Sequence, residues 1–279
     1  MPVYENSWGE TRYSVEGSGP PILLIHGVGA RLDNWDGVAA VLSRNFKIVR
    51  YDLRGHGKSS KVPGPYSLEM FASDAAGLLG HLAIARAHVA GHSLGGMIAI
   101  TLAARHPQRV DRLAVLSAAA GRTDEERRKV MERIALIANG IPGDHFMNSL
   151  SRWFTDEFRA ANPELMEQYA ARNRENNPAS YAAAYAVLAS GEVAPDLRLV
   201  KAPTLVVTGE HDLGSNPRMA RFIHAGIAGS ELRILPGLRH SILIEAPRKV
   251  AGLLEPFFQG RPVPGTEMPA TGAAGAQEG

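Results

Sequence analysis

His88-Val89-Ala90-Gly91-His92-Ser93-Leu94-Gly95-Gly96-Met97-Ile98-Ala99-Ile100 is the stretch that decides the fold. A short strand enters a G-x-S-x-G pattern, and an apolar helix follows to about His106. The pattern places a serine on a tight strand-to-helix turn, with Oγ clear of the sheet at a helix N-terminus. Glycines flank it because side chains there would strike neighbouring backbone. Five such residues also arise by chance, as a glycine-rich turn with an incidental serine; the strand–turn–helix setting makes the match specific.

Upstream, Ile22-Leu23-Leu24-Ile25 is a continuous apolar run ending at His26-Gly27, as a buried parallel strand does. Residues 32–43 suit a helix, Phe46-Lys47-Ile48-Val49-Arg50-Tyr51 a second strand, and residues 52–65 a Gly-, Pro- and Ser-rich loop. Ser67 is placed to cap a helix running to about Leu82, and residues 110–117 make a further strand. This rhythm predicts an α/β fold, a mainly parallel sheet with helices on both faces. The rhythm breaks over residues 121–196, which carry no strand run. There Thr123 heads an acidic-then-basic stretch, Asp124-Glu125-Glu126-Arg127-Arg128-Lys129, a sound helix start. Strands resume at Thr204-Leu205-Val206-Val207 and Leu232-Arg233-Ile234-Leu235, before a last helix near 249–258. The expected organisation is a discontinuous core (1–120 and 197–259), an all-helical cap (121–196) and a disordered tail (260–279), the last from its small, Pro/Gly-rich composition.

The 279 residues are 45% hydrophobic and 21% charged, ordinary for a globular chain long enough to bury a core. Thirty Lys+Arg against 28 Asp+Glu leave a formal net charge of +2, so no nucleic-acid partner is expected. The absence of Cys excludes disulfides, thiolate metal sites and a Cys nucleophile. The N-terminus lacks a basic stretch followed by an apolar run, and no apolar run approaches the roughly 20 residues that cross a bilayer. A cytoplasmic protein without a membrane partner is expected. Gly27-x-Gly29 lacks the third glycine and downstream acid of a dinucleotide fingerprint, and no His-x-x-x-His pair suits zinc, so no cofactor and no metal are expected.

A serine hydroxyl needs a base, and the base an orienting acid, which here should follow on loops after later strands. The loop after residues 204–209 offers Glu210, His211 and Asp212; the loop after residues 232–235 offers His240. His240 is the candidate base and Asp212 the candidate acid, with Glu210 its competitor in the same loop and Asp124 a weaker one. A developing oxyanion needs two backbone donors, for which the Leu94 N–H and, from the loop after an early strand, the Val28 N–H are the choices. His26 itself reads as structural. Trp153 is either an apolar wall of a substrate site or a core aromatic between cap helices. Arg133 and Arg152 could meet an anionic substrate or be solvated helix residues.

His26-Gly27 after a strand, Asp52-Leu53-Arg54-Gly55-His56-Gly57-Lys58-Ser59, Gly91 to Gly96, Gly209-Glu210-His211-Asp212 and His240 followed by Glu245-Ala246-Pro247 together resemble the α/β-hydrolase fold family, from about Gly9 to Phe258. The resemblance implies Ser93 as nucleophile, Asp212 as acid, His240 as base and a structural role for residues 52–59. Within that superfamily the chain resembles the 3-oxoadipate enol-lactonases, through Arg50 to Gly57, Arg152-Trp153-Phe154-Thr155 and Tyr181-Ala182-Ala183-Ala184. That implies hydrolysis of a small ester or lactone. A dehalogenase or epoxide hydrolase on this fold would carry Asp at the elbow, and C–C bond hydrolases usually show a Gly-Gly-x-Gly-Pro-Gly loop that residues 26–31 lack. A C–C hydrolase or cofactor-free haloperoxidase on the same triad, and a slow-hydrolysing ligand receptor, stay open as alternatives, as does the oligomeric state.

Overall fold

The computed structural model describes residues 2–139 and 144–265. In chain order the elements are β1 (Val3–Asn6), β2 (Gly9–Glu16), β3 (Pro21–Ile25), α1 (Asp36–Leu42), β4 (Lys47–Tyr51), α2 (Leu68–His81), β5 (Ala87–His92), α3 (Leu94–Arg105) and β6 (Val110–Leu116). Then follow α4 (Asp124–Asn139), α5 (Asp144–Trp153), α6 (Asp156–Ala161), α7 (Pro163–Arg174), α8 (Pro178–Ser190) and α9 (Ala194–Leu197). The chain closes with β7 (Thr204–Gly209), α10 (Pro217–Gly226), β8 (Glu231–Leu235), α11 (Ile242–Glu245) and α12 (Pro247–Phe258). The strands form one sheet in the order β1-β2-β4-β3-β5-β6-β7-β8. The β1–β2 and β2–β4 pairs are antiparallel and all others parallel.

The central strands read as unbroken apolar runs because both faces are covered. In β3, Leu23 and Ile25 join Phe71, Val89 and Ile98 in a core that α2 and α3 cover. Ile22 and Leu24, one residue out of phase, join Trp35, Val207 and Leu254 under α1 and α12. The hairpin β1–β2 is absent from the sequence reading. In β2 only Thr11 and Tyr13 face inward, whereas Val15 is exposed and Glu10, Arg12 and Glu16 interleave, so the period-two signal is too weak to register.

The loop after β4 is held by Asp52, whose buried carboxylate accepts hydrogen bonds from Leu32 N–H (2.9 Å), Lys58 N–H (2.8 Å) and Arg12 Nη1 (3.2 Å). A Cβ at Gly57, where φ is +50°, would lie 2.2 Å from that carboxylate. Arg54 in the same loop donates to both carboxylate oxygens of Asp74 on α2 (2.7 and 2.6 Å), so these polar groups tie the loop to β2, α2 and the residues ahead of α1.

At the C-terminus the expected boundary at 260 needs correction. Val263 is buried, and Arg233, 4% exposed on the edge strand β8, donates from Nη2 to the Val263 carbonyl (2.8 Å) and from Nε to the Pro264 carbonyl (2.9 Å). A buried guanidinium recruits the first residues of a compositionally weak segment; the remainder, 266–279, lies outside the described residues. Truncation after Gly260 should therefore lower the Tm by about 5 °C. It removes two acceptors of a buried charge, a loss on the order of 2 kcal/mol. An unchanged Tm in calorimetry would show that water replaces them. Among the described residues no helix is long and apolar enough to cross a membrane.

Candidate active site

Ser93 sits between β5 and α3 with φ +57° and ψ −119°, a left-handed conformation that a non-glycine residue adopts under constraint. The neighbouring glycines make the turn possible. A Cβ at Gly91 would fall 2.0 Å from the Gly95 carbonyl oxygen, and one at Gly95 would fall 2.2 Å from that of Ile25. The Ser93 N–H donates to the Leu116 carbonyl (2.9 Å), tying the elbow to β6.

At the ends of β7 and β8 the loops cross closely. A Cβ at Gly209 would lie 2.2 Å from the Arg239 carbonyl oxygen, so glycine there lets the residue before His240 pass over β7. His240 Nδ1 donates to Asp212 Oδ2 at 2.7 Å, and Asp212 Oδ1 accepts from the N–H groups of Gly214 and Ser215, both at 2.9 Å. Burial works to raise the Asp212 pKa, but the His240 charge and the hydrogen bonds from His240, Ser215 and Gly214 prevail and hold it below the usual carboxylate range. Glu210 instead faces the β8 turn, where its Oε2 accepts from Gly237 N–H at 2.9 Å. Asp124 is exposed on the first turn of α4. Of the acids left open by the sequence, Asp212 alone among the described residues is bonded to His240.

With Nδ1–H engaged, a neutral His240 has Nε2 as its bare nitrogen. His240 and Ser93 line the same cavity, about 170 Å³. His92, beside the serine, donates Nε2–H to the His240 carbonyl at 2.9 Å. Burial first, and then the His240 charge, push its pKa down to about 3, so it stays neutral.

His26 is buried, with Nδ1–H donating to the Gly27 carbonyl (2.7 Å) and Nε2 accepting from Leu53 N–H (3.0 Å); burial lowers its pKa. It therefore fixes the Gly27–Val28 peptide. In a trans peptide the N–H points opposite to the carbonyl, so anchoring the Gly27 carbonyl also sets the direction of the Val28 N–H. Gly27 comes so near the elbow that a Cβ on it would lie 3.0 Å from Ser93 Cβ. Among the described residues neither Val28 N–H nor Leu94 N–H donates to a backbone acceptor, and Leu94 opens α3, where the first amides have no intrahelical partner.

The helical insertion supplies much of the remaining wall. On α4, Glu126, Lys129, Val130 and Arg133 line the cavity at the i, i+3, i+4, i+7 spacing of one helix face. Arg152 and Trp153 line it from the end of α5, and Trp153 also packs against the small core of Leu150, Phe154, Met166 and Ala170. Trp153 thus lines the cavity and packs between the insertion's helices at the same time. Among the described residues, six Arg and Lys side chains (Arg31, Arg122, Lys129, Arg133, Arg152 and Arg172) line the cavity with a single carboxylate, Glu126, itself paired with Arg218. Arg31 and Lys129 have carboxylate partners, Glu175 (2.7 Å) and Glu125 (2.6 Å). Arg122 donates to the carbonyls of Leu188 (2.9 Å) and Ala189 (3.4 Å). Arg152 donates to Ser149 Oγ, and burial, followed by the charge of Arg133, lowers its pKa. Neither Arg133 nor Arg152 forms an ion pair among the described residues. Lys129, Arg122, Arg31, Arg172 and His92 were missed from sequence; only Lys129 had a legible signal, its place on the α4 face.

Residues 20–247 match the profile of the family described as alpha/beta hydrolase fold. The chain is similar to 3-oxoadipate enol-lactonase 2 of Acinetobacter baylyi, 28% identical over 229 residues that cover 82% of this chain and 85% of that protein. It is likewise 28% identical to (E)-2-((N-methylformamido)methylene)succinate hydrolase of the same organism, over 90% of this chain and 94% of that one. The crystal structure of the enol-lactonase from Burkholderia xenovorans LB400 superposes with a TM-score of 0.86 at 29% identity, covering 92% of this chain and all of that one. A profile match across most of the chain, on an eight-stranded sheet of this topology, shows that the protein belongs to the α/β-hydrolase fold family and is related to hydrolases of small molecules.

Proposed function

We propose that the protein is a serine hydrolase that opens a small, carboxylate-bearing ester or lactone through a Ser93 acyl-enzyme. The observation that carries this reading is the cavity shared by Ser93 on its strained turn and by His240, itself bonded to buried Asp212. His240 Nε2 takes the Ser93 proton as Oγ attacks the carbonyl carbon. The oxyanion accepts from Val28 and Leu94 N–H, donors whose individual loss typically costs about 2.7–4 kcal/mol. The C–O bond then breaks and the leaving oxygen receives the proton from His240; in a lactone that oxygen stays tethered to the acyl group. Water attacks the ester of Ser93, His240 takes its proton, and Ser93 Oγ leaves with that proton. Asp212 keeps the imidazole in one tautomer and stabilises its protonated form throughout.

The carboxylate in the substrate follows from Arg133 and Arg152, cations facing one cavity without an ion-pair partner among the described residues. Two such charges are costly to hold together without an anion between them. The likeness to an enol-lactonase and to a hydrolase of a substituted succinate supports the same choice. Trp153 would form the apolar wall beside them. The test compares a carboxylate-bearing ester or lactone with its neutral methyl ester, in wild type, Arg133→Leu and Arg152→Leu. Each substitution should reduce kcat/KM for the anion about tenfold or more, through KM, and leave the methyl ester nearly unchanged. Equal effects on both substrates, or a wild-type preference for the neutral one, would remove the anionic requirement.

A further inference from the structure

The two residues that flank His240 both bind the helical insertion. Arg239 Nη1 donates to the carbonyl of Ser151, to that of Phe154 at 2.8 Å and to Asp156 Oδ1 at 2.9 Å. Ser241 N–H donates to the Trp153 carbonyl at 2.8 Å. A little further on, Glu245 accepts from Thr155, both from its N–H (3.3 Å) and from its hydroxyl. The carbonyl acceptors, of Ser151, Trp153 and Phe154, belong to the last residues of α5 and the one after it, and Asp156 opens α6. A helix leaves its last carbonyls without intrahelical donors, and a cation there also suits the helix dipole. The missing donors come from the loop of His240, more than eighty residues away in sequence. From the opposite side His92, next to Ser93, donates to the His240 carbonyl. The backbone of His240 is thus fastened to the elbow on one side and to the insertion on the other. The fastened turn is the one that presents Arg152 and Trp153 to the cavity.

Resting on the reading of His240 as the base, we propose that Arg239 is a positioning residue that registers the substrate-facing end of α5 against His240, so that the groups contacting substrate and the proton acceptor are held as one unit. Arg239 keeps a quarter of its side chain in solvent, 24%. Water can therefore satisfy the carbonyls that its removal exposes, and the fold should survive the substitution. What is lost is register. A misplacement of about 1 Å costs on the order of 10²-fold in rate.

The experiment measures the second-order rate at which a small fluorophosphonate labels Ser93, since that reaction needs aligned His240 but no contact with the insertion. In Arg239→Ala the labelling rate should fall about 10- to 100-fold, with kcat for p-nitrophenyl acetate falling in parallel and KM little changed. Millimolar guanidinium chloride should restore part of both. Labelling of folded Arg239→Ala at the wild-type rate would overturn the proposal and leave Arg239 a helix cap. Should Arg239→Ala not fold by near-UV circular dichroism, Arg239→Gln, which cannot serve three acceptors, carries the same test. A reduced labelling rate supports the proposal and a wild-type rate overturns it. Wild-type protein that is not labelled at Ser93 would overturn the hydrolase reading and this inference together, a result distinct from labelled wild type with an equally reactive variant.

Discussion

Ser93→Ala should abolish turnover of an activated ester such as p-nitrophenyl acetate, with kcat falling on the order of 10⁶-fold, as loss of the nucleophile does where a triad acts as a unit. The fold should not notice. Ser93 is held by its backbone, its N–H on the Leu116 carbonyl and its carbonyl accepting from Gly96 and Met97, and none of these bonds involves Oγ. The strained turn is made by Gly91 and Gly95, so alanine inherits the same φ and the Tm should stay at or above that of wild type. Residual acceleration over water, on the order of 10³-fold, would come from the oxyanion donors and from binding alone. A mass-tagged fluorophosphonate should mark Ser93 and no other residue. Persistent turnover in the alanine variant, or a tag elsewhere, would sink the nucleophile assignment. A single-turnover burst with retained product would instead favour a ligand receptor built on the same fold.

Asp212→Asn is the second large effect, a loss of about 10⁴-fold in kcat with the fold retained. All three groups on this carboxylate are donors: Gly214 N–H and Ser215 N–H on Oδ1, and His240 Nδ1–H on Oδ2. An asparagine brings one acceptor oxygen and one amide nitrogen. With its oxygen on the two backbone amides, its NH2 meets His240, which must then present a bare Nδ1 and carry its proton on Nε2. The nitrogen that should receive the Ser93 proton is then occupied. Glu210→Gln should change kcat little, because Glu210 spends its carboxylate on Gly237 N–H at the protein surface. Reversal of the two effects would make Glu210 the acid. The comparison is best made on folded protein at equal occupancy of the fluorophosphonate-reactive form.

Much of the candidate site is written in short stretches of sequence, because its hardest requirements are local. A serine at positive φ between two glycines needs only the five residues Gly91 to Gly95 to be specified, and the apolar runs on either side specify a strand and a helix. Parallel strands place their carboxyl ends together, so two loops after later strands suffice to nominate His240 and its acid. Which acid is another matter. Asp212 and Glu210 are two residues apart in one loop, and their difference lies in what surrounds them: amides of Gly214 and Ser215 for one, the Gly237 turn for the other. The hairpin β1–β2 was invisible for a related reason, since pairing with β4 makes it a strand and its own alternation is broken by an exposed Val15.

The insertion shows the limit most plainly. Its helices are legible from composition and, at α4, from the acidic-then-basic stretch that Thr123 heads; the structure adds a capping box there, in which Glu126 N–H donates to Thr123 Oγ1 and Thr123 N–H to Glu126. The i, i+3, i+4, i+7 face of α4 can be drawn from sequence too. That this face, the end of α5 and the loop after β3 enclose one basic cavity over Ser93 cannot, and neither can the capping of α5 by Arg239. Periodicity and turn chemistry act over a few residues and so are carried by the local sequence. The electrostatics of the cavity and the fastening of His240 depend on side chains brought together across 80 residues or more, and only the packed tertiary structure decides which of them meet.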